Sequence, residues 1–389
     1  MISTRKLVGV ALILAAFLPA CNDDPNLPDP PKKPPQVSTS VAYPYSTDDK
    51  GHLTGLPSND VYSMLAVSNG EFWIGTQAGV ARYPNLTSGS HVAVDPGKPE
   101  TTIWIINEGN GLPHPQVRSM VELDGKVYVG TWGGGLGIYD IAGDLWTQIR
   151  PGTTGLTDGF ISELAVSQPT ENKLYMSTND GVFIYVPGGG FTHFSTVDVN
   201  EQDPSMFDVV RFQQTVSSLE VVDEAGLVQR WYGPRTDSRY EANAAEFLGI
   251  TVSKSVSTEF KYTPVNSGLV ESNVNDIYYD SVRQTYWVSY VSKGISEVNL
   301  TDKTWTSNTL VEGLPSNTVY SVTRAGNGGA GTTLWAATQN GLARLDGKHW
   351  VAFGRSGGLP SDRIRRVYSD DGNRLWVGTV DAGAVKLDL

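Results

Sequence analysis

The stretch GLPSNTVYSVTRAGNGGAGTTLWAATQNGLARL, residues 313–345, holds three elements that recur along the chain. The first is Gly313-Leu314-Pro315-Ser316-Asn317, followed by the β-branched Val319. It returns at Gly55-Leu56-Pro57-Ser58-Asn59, Gly111-Leu112-Pro113, Gly155-Leu156-Thr157, Gly268-Leu269-Val270 and Gly358-Leu359-Pro360-Ser361-Asp362. Val61, Val117, Ile161, Val274 and Ile364 stand six positions after each of those glycines. The second element, Leu334-Trp335-Ala336-Ala337-Thr338, has counterparts at 72–76, 127–131, 174–178 and 375–379, with a shortened copy at 286–289. The third, Gly341-Leu342-Ala343-Arg344-Leu345, returns at 79–83, 135–139, 181–185, 294–298 and 383–387. Trp104, Trp146, Trp305 and Trp350 mark a fourth segment before the next Gly-Leu.

Each unit thus reads as four short strands, too small to bury both faces alone. That pattern predicts an all-β propeller whose neighbouring blades supply one another's core. The repeated Trp and Tyr are then packing residues. Successive Gly-Leu starts lie 44 or 45 residues apart at three steps, the length of a four-stranded blade, while one gap of 113 residues holds two units. A degenerate blade is expected near 200–262, and the count becomes seven. The last copy ends at its third strand, 384–389, while residues 41–46 precede the first Gly-Leu-Pro. This N-terminal segment is expected to supply the missing outermost strand and close the ring, with Pro44 tolerated at a sheet edge.

The units resemble the two-component regulator propeller repeat, most fully at 55–83 and 313–345, and the resemblance covers about residues 40–389. It implies an extracytoplasmic sensor-type propeller; such domains often belong to hybrid histidine kinases and bind carbohydrate-derived ligands. No sandwich domain or kinase follows in this chain, and fold alone does not transfer function.

At the N-terminus, Arg5 and Lys6 precede an apolar run of about twelve residues, too short to span a bilayer, that ends in Leu18-Pro19-Ala20-Cys21. Cys21 is the only cysteine. The arrangement resembles a bacterial lipobox, which implies that Cys21 is lipidated after removal of residues 1–20. Loss of Arg5 and Lys6 takes the net charge from −12 to −14. Residues 21–36 form a Pro-rich spacer favouring polyproline II, and 37–389 form the propeller. The expected address is the bacterial envelope, lipid-anchored, with the outer membrane favoured over inner membrane or cell surface.

An excess of 41 acidic over 29 basic side chains argues against nucleic acid, whose phosphates need a basic face. The five histidines include no His-x-His or His-Glu pair; His114 alone sits on a repeat loop, where the unit elsewhere has Ser. No Gly-x-Ser-x-Gly elbow is present, and no cofactor or metal site is expected.

In antiparallel blades, the loop before strand one and the hairpin between strands two and three share a rim. Candidate ligand-binding residues there are Trp132, Gln77, Asn179, Gln339, Asn59, Asn317, Asp158 and Arg363. Amides and carboxylates beside an aromatic suit sugars or peptides. Trp132 stands where other blades have Gln or Asn, and reads either as an exposed platform or as packing over Gly133–Gly135. The expected function is non-catalytic binding of a glycan, peptide or protein partner. A structural scaffold in an envelope complex and a propeller lyase or hydrolase are the alternatives.

Overall fold

A computed structural model shows an all-β propeller and describes residues 40–46, 55–84, 103–168, 170–194, 216–224, 227–234, 250–254, 258–299, 301–326, 332–370 and 374–389. The described strands are β1 (Ser40–Tyr43), then β2 (Val61–Ala66), β3 (Phe72–Thr76), β4 (Gly79–Tyr83) and β5 (Trp104–Ile106) in a first sheet. The second sheet holds β6 (Val117–Leu123), β7 (Lys126–Thr131), β8 (Gly135–Asp140) and β9 (Leu145–Ile149). The third holds β10 (Ile161–Ser167), β11 (Lys173–Thr178), β12 (Gly181–Tyr185) and β13 (Phe191–Phe194). The fourth holds β14 (Val216–Glu224), β15 (Leu227–Pro234), β16 (Ile250–Lys254) and β17 (Thr258–Tyr262). The fifth holds β18 (Val274–Asp280), β19 (Thr285–Tyr290), β20 (Ile295–Asn299) and β21 (Thr304–Asn308). The sixth holds β22 (Val319–Ala325), β23 (Thr333–Thr338), β24 (Gly341–Asp346) and β25 (His349–Phe353). In the last, β26 (Ile364–Ser369), β27 (Arg374–Thr379) and β28 (Ala384–Asp388) are joined by β1. Six of these four-stranded sheets begin from a Gly-Leu unit. The β14–β17 sheet lies in the long gap and lacks one.

Burial follows the radial order of strands. The second strand of a sheet is buried on both faces, as in Phe72–Thr76, whereas outermost β9 and β21 are largely exposed. Buried apolar side chains gather between neighbouring sheets. Trp73 packs with Val117 and Met120 of the next sheet, and Leu56, Val61 and Met64 pack with Trp376 of the last. The repeated tryptophans do this packing: Trp73, Trp287 and Trp376 are buried, and Phe72 stacks on Trp376 at 4.0 Å. Glycine in the Gly-Thr pair permits such closeness, because a Cβ at Gly75 would stand 2.6 Å from Val117 and one at Gly378 2.7 Å from Val61.

Strand β1 pairs antiparallel with β28, from Ser40 opposite Leu387 to Tyr43 opposite Ala384. The strand is shorter than the 41–46 expected and stops one residue before Pro44, which has no N–H to extend a ladder. Beyond it, Pro44 O accepts from Leu56 N at 3.1 Å and Asn59 Oδ1 accepts from Tyr45 N at 2.7 Å. Residues 40–45 are thus bonded both to the last sheet and to the loop that leads into the first. The segments read as a lipobox and a spacer, with Cys21, lie outside the described residues.

Candidate functional site

The leading loop and the hairpin meet on one rim through a recurring backbone bond. Gln77 N donates to Asp60 O, Trp132 N to Gln116 O, Gln339 N to Thr318 O and Val380 N to Arg363 O. The Thr closing strand two turns back to the third strand, as Thr76 Oγ1 donates to Gly79 O at 2.9 Å and Thr338 Oγ1 to Gly341 O at 2.7 Å. Among the candidates on this rim, Gln77 and Gln339 are exposed and Asn179 half-buried. Arg363 is exposed and lies 3.8 Å from Asp381.

Other repeat polar groups organise their own loops. Asn59 Oδ1 holds Tyr45 N, and Asn317 Oδ1 accepts from Leu310 N at 3.1 Å. Three positions after each Gly, a side chain caps the turn: Ser58, Ser316 and Ser361 accept from the backbone N–H two residues on. His114 does the same through Nδ1, accepting from Gln116 N at 3.2 Å. Asp158 Oδ1 accepts from Phe160 N at 2.9 Å. Burial lifts its carboxyl above the ordinary range, and the nearby Asp180 adds to the shift.

A second ring, which the sequence reading did not single out, lies at the start of the innermost strands. In all seven sheets the register between strands one and two slips at the second residue of strand one. Such a bulge re-aims the unpaired side chain. The bulge residues are Tyr62, Arg118, Ser162, Ser217, Asn275, Tyr320 and Arg365, and several reach a neighbouring blade. Asn275 Nδ2 donates to Val319 O at 2.8 Å, and Ser217 Oγ to Val274 O at 2.6 Å. On the opposite arc they form a cation–π ladder. Arg118 lies 4.6 Å from the ring of Trp132 and 4.2 Å from that of Tyr62; Arg365 lies 4.4 Å from Tyr62 and 5.8 Å from Tyr320. Trp132 is half-buried, edge-on to Phe160 at 5.3 Å. It is therefore neither a bare platform nor packing over the glycines alone: it ends a ladder. Arg365 holds Asp60 two-pronged, Nε to Oδ1 at 2.8 Å and Nη2 to Oδ2 at 3.4 Å, and Tyr62 donates to the same carboxylate.

One residue further along, side chains of non-neighbouring sheets meet. Arg366 of the last sheet crosses to Glu163 of the third at 3.5 Å and Asp276 of the fifth at 4.0 Å. Each carboxylate also completes the next blade's inner edge: Glu163 accepts from Leu219 N at 2.9 Å and Asp276 from Val322 N at 2.8 Å. Glu220 accepts from Tyr279 N at 3.1 Å. Burial pushes Glu163 and Glu220 up to about 8, with Asp276 adding to both. Asp276 is raised by burial too, although Arg366 opposes the shift. The sequence signal existed for all but Glu220: the bulge residues, Glu163, Asp276 and Arg366 stand seven or eight positions after a repeat Gly wherever the blade has one, and there Tyr, Arg, Glu and Asp interrupt Ser and Asn. Among the described residues, no group of three or more His, Cys, Asp or Glu is arranged to hold a metal ion.

Residues 55–78 and 358–381 match the two component regulator propeller family. Curated protein sequences gave no match. Among solved structures, the chain is similar to the extracellular domain assigned to a hybrid two-component system of B. thetaiotaomicron: 17% identity, TM-score 0.62, over 89% of this chain and 42% of that one. It is similar also to PorZ, a surface component of the type-IX secretion system of Porphyromonas gingivalis: 14% identity, TM-score 0.57, over 86% of this chain and 47% of that one. This chain therefore spans less than half the length of either. Virginiamycin B lyase of Staphylococcus aureus is similar at 12% identity and TM-score 0.59, over 90% and 99% of the two chains. The likeness thus extends to an enzyme as well as to sensor and surface propellers, and at these identities it speaks for the fold. Two segments of the chain thus match the two component regulator propeller family, and the fold they sit in is a β-propeller.

Proposed function

We propose that this protein is a lipid-anchored envelope propeller that binds a glycan, peptide or protein partner at its channel mouth and transforms nothing. In this reading residues 1–20 are a lipoprotein signal, 21–36 a lipidated spacer, and 37–389 a seven-bladed ring closed by β1, held at the outer membrane. The observation that carries it is the cation–π ladder on bulge residues. Bulges cluster where a side chain must be re-aimed, and four adjacent blades aim cations and rings at one mouth. Both ladder arginines are stacked, and Arg365 is already bound to Asp60, so the ladder offers no nucleophile with an adjacent general base. Occurrence of this fold in extracellular sensor and surface proteins fits an envelope role. A scaffold role is the second reading, favoured by exposed apolar side chains such as Leu310 and Val311 away from the lumen.

The binding reading is tested with the full chain immobilised against its native envelope extract. Trp132→Ala is expected to reduce capture of the specific partner about tenfold, an anchor loss of about 1–2 kcal/mol. Its melting temperature should stay within about 2 °C of wild type, because Trp132 is half-exposed. Unchanged capture, or capture of nothing specific by wild type, overturns the reading. The anchor is tested separately. Cys21→Ser should move the protein from the membrane pellet to the soluble fraction, and retention in the pellet would remove the lipid from the proposal.

A further inference from the structure

We infer that Asn340 is a site of spontaneous deamidation, a modification that adds a carboxylate with time to the hairpin that carries Gln339. The inference stands apart from the binding reading above, since it needs no partner.

The chemistry starts from the sequence. An asparagine followed by glycine is open to attack by its own backbone, because glycine has no side chain to hinder the approach. Asn-Gly occurs at 69–70, 110–111, 327–328 and 340–341. In the reaction the Gly341 nitrogen loses its proton and bonds to Cγ of Asn340. The Cγ–Nδ2 bond breaks, and ammonia leaves with that proton. Water then opens the cyclic imide at either carbonyl, giving aspartate or isoaspartate. One water is consumed and one ammonia released.

The fold sorts the copies. Residues 327–328 lie outside the described residues, and the other three differ in how the carboxamide is held. That of Asn110 is fixed at both ends: Oδ1 accepts from Asn107 N at 2.6 Å, and Nδ2 donates to Ile105 O at 2.8 Å. Asn69 is fixed at one end, with Oδ1 accepting from Glu71 N at 3.0 Å. Asn340 is exposed, and its carboxamide has no hydrogen bond among the described residues. Of the three, its side chain alone is free to turn Cγ toward the following nitrogen.

The product suits the fold, because the third sheet already contains it. Thr178-Asn179-Asp180-Gly181 forms the hairpin equivalent to Thr338-Gln339-Asn340-Gly341. Asp180 N donates to Thr178 Oγ1 at 3.0 Å, as Asn340 N does to Thr338 Oγ1 at 3.3 Å. Each threonine in turn donates to the glycine carbonyl, at 3.0 Å in the third sheet and 2.7 Å in the sixth. Aspartate at 340 therefore reproduces a turn this protein makes elsewhere, while the formal net charge moves from −12 to −13. The new charge appears beside the exposed Gln339, so the age of a molecule alters the electrostatics of that rim.

The test incubates the purified full chain at pH 8 and follows each site by peptide mapping. Fragmentation separates residue 340 from residue 327, which share one tryptic peptide. Conversion at Asn340 should run about fivefold faster than at Asn69 and at least about tenfold faster than at Asn110, the factors that one and two amide hydrogen bonds supply. In urea-unfolded chain the three sites should convert at similar rates. Asn340→Gln should remove the fastest-forming acidic variant, and Asn340→Asp should melt within about 1 °C of wild type. Conversion at Asn340 no faster than at the other two sites in the folded chain overturns the inference, as does an unchanged yield of acidic variant from Asn340→Gln. The same order of rates in urea would overturn the role given to the fold, and a fall of several degrees in Asn340→Asp would overturn the equivalence with Asp180.

Discussion

Deletion through Ser46 should lower the melting temperature by about 10 °C, equivalent to about 4 kcal/mol or more in a domain of this size. Deletion of residues 22–36 alone should change it by no more than about 1 °C. The contrast arises because β1 is the fourth strand of the last sheet, and its removal bares the N–H and C=O groups of β28. It also removes Tyr43, whose ring lies 5.5 Å from both Tyr83 of the first sheet and Trp376 of the last. The bonds from Leu56 N to Pro44 O and from Tyr45 N to Asn59 go with it. A subtler variant makes the same point with the chain intact. Gly383 has φ +79°, and a Cβ there would stand 2.2 Å from Tyr43 O, so Gly383→Ala should also loosen the latch. Thermal melts of the two truncations are the check, and overlapping curves would show that β1 closes nothing.

Replacement of Arg366 by Leu should cost about 3 kcal/mol at pH 8 and much less at pH 5. The guanidinium is the cation shared by Glu163 and Asp276, with Glu220 close enough to feel it. Its side chain remains 34% open to water, which keeps the expected loss at the lower end for such groups. The wild type carries the same dependence in milder form. Between the ordinary carboxyl range near 4.5 and about 8, the folded protein holds protons on Glu163 and Glu220 that the unfolded chain has released. Stability therefore falls as pH rises through that window and levels off above it. Glu220→Gln, which keeps an acceptor for Tyr279 N, should flatten the slope. Denaturant titrations at pH 5, 6.5 and 8 measure all three proteins, and a pH-independent loss in Arg366→Leu would refute the shared-charge account.

Much of this architecture was legible because apolar period and glycine position recur together. Gly313, Leu314 and Thr338 each have one local task, so their spacing carried the strand order and the shared rim. Asn59 and Asn317 show what spacing alone leaves out. Their amides read as ligand groups, and in the fold their Oδ1 atoms accept from Tyr45 N and Leu310 N. The ladder stayed hidden for the opposite reason. Tyr62, Arg118 and Arg365 look like ordinary strand residues until a bulge turns all three toward the same axis. Their partners lie on other blades, as far apart as residues 62 and 365, so the repeat spacing marks the positions but not the contacts. The β14–β17 sheet was placed only by its gap, since Ser218 and Glu220 keep the inner-strand chemistry without the Gly-Leu that marks it elsewhere.

Among the described residues, side chains that complete a neighbour's inner edge run in one direction around the molecule. Ser119 serves Leu164, Glu163 serves Leu219, Asp276 serves Val322, Ser321 serves Val367, and Tyr368 serves Ala66. What finishes one repeat is therefore written in the repeat before it. A copy excised or duplicated as a unit would bring the acceptor for its successor and leave its own donors to whatever now precedes it. Divergence of such a chain is constrained in pairs: a blade can lose its visible signature, as the β14–β17 sheet has, and persist while its upstream neighbour still carries the right acceptor.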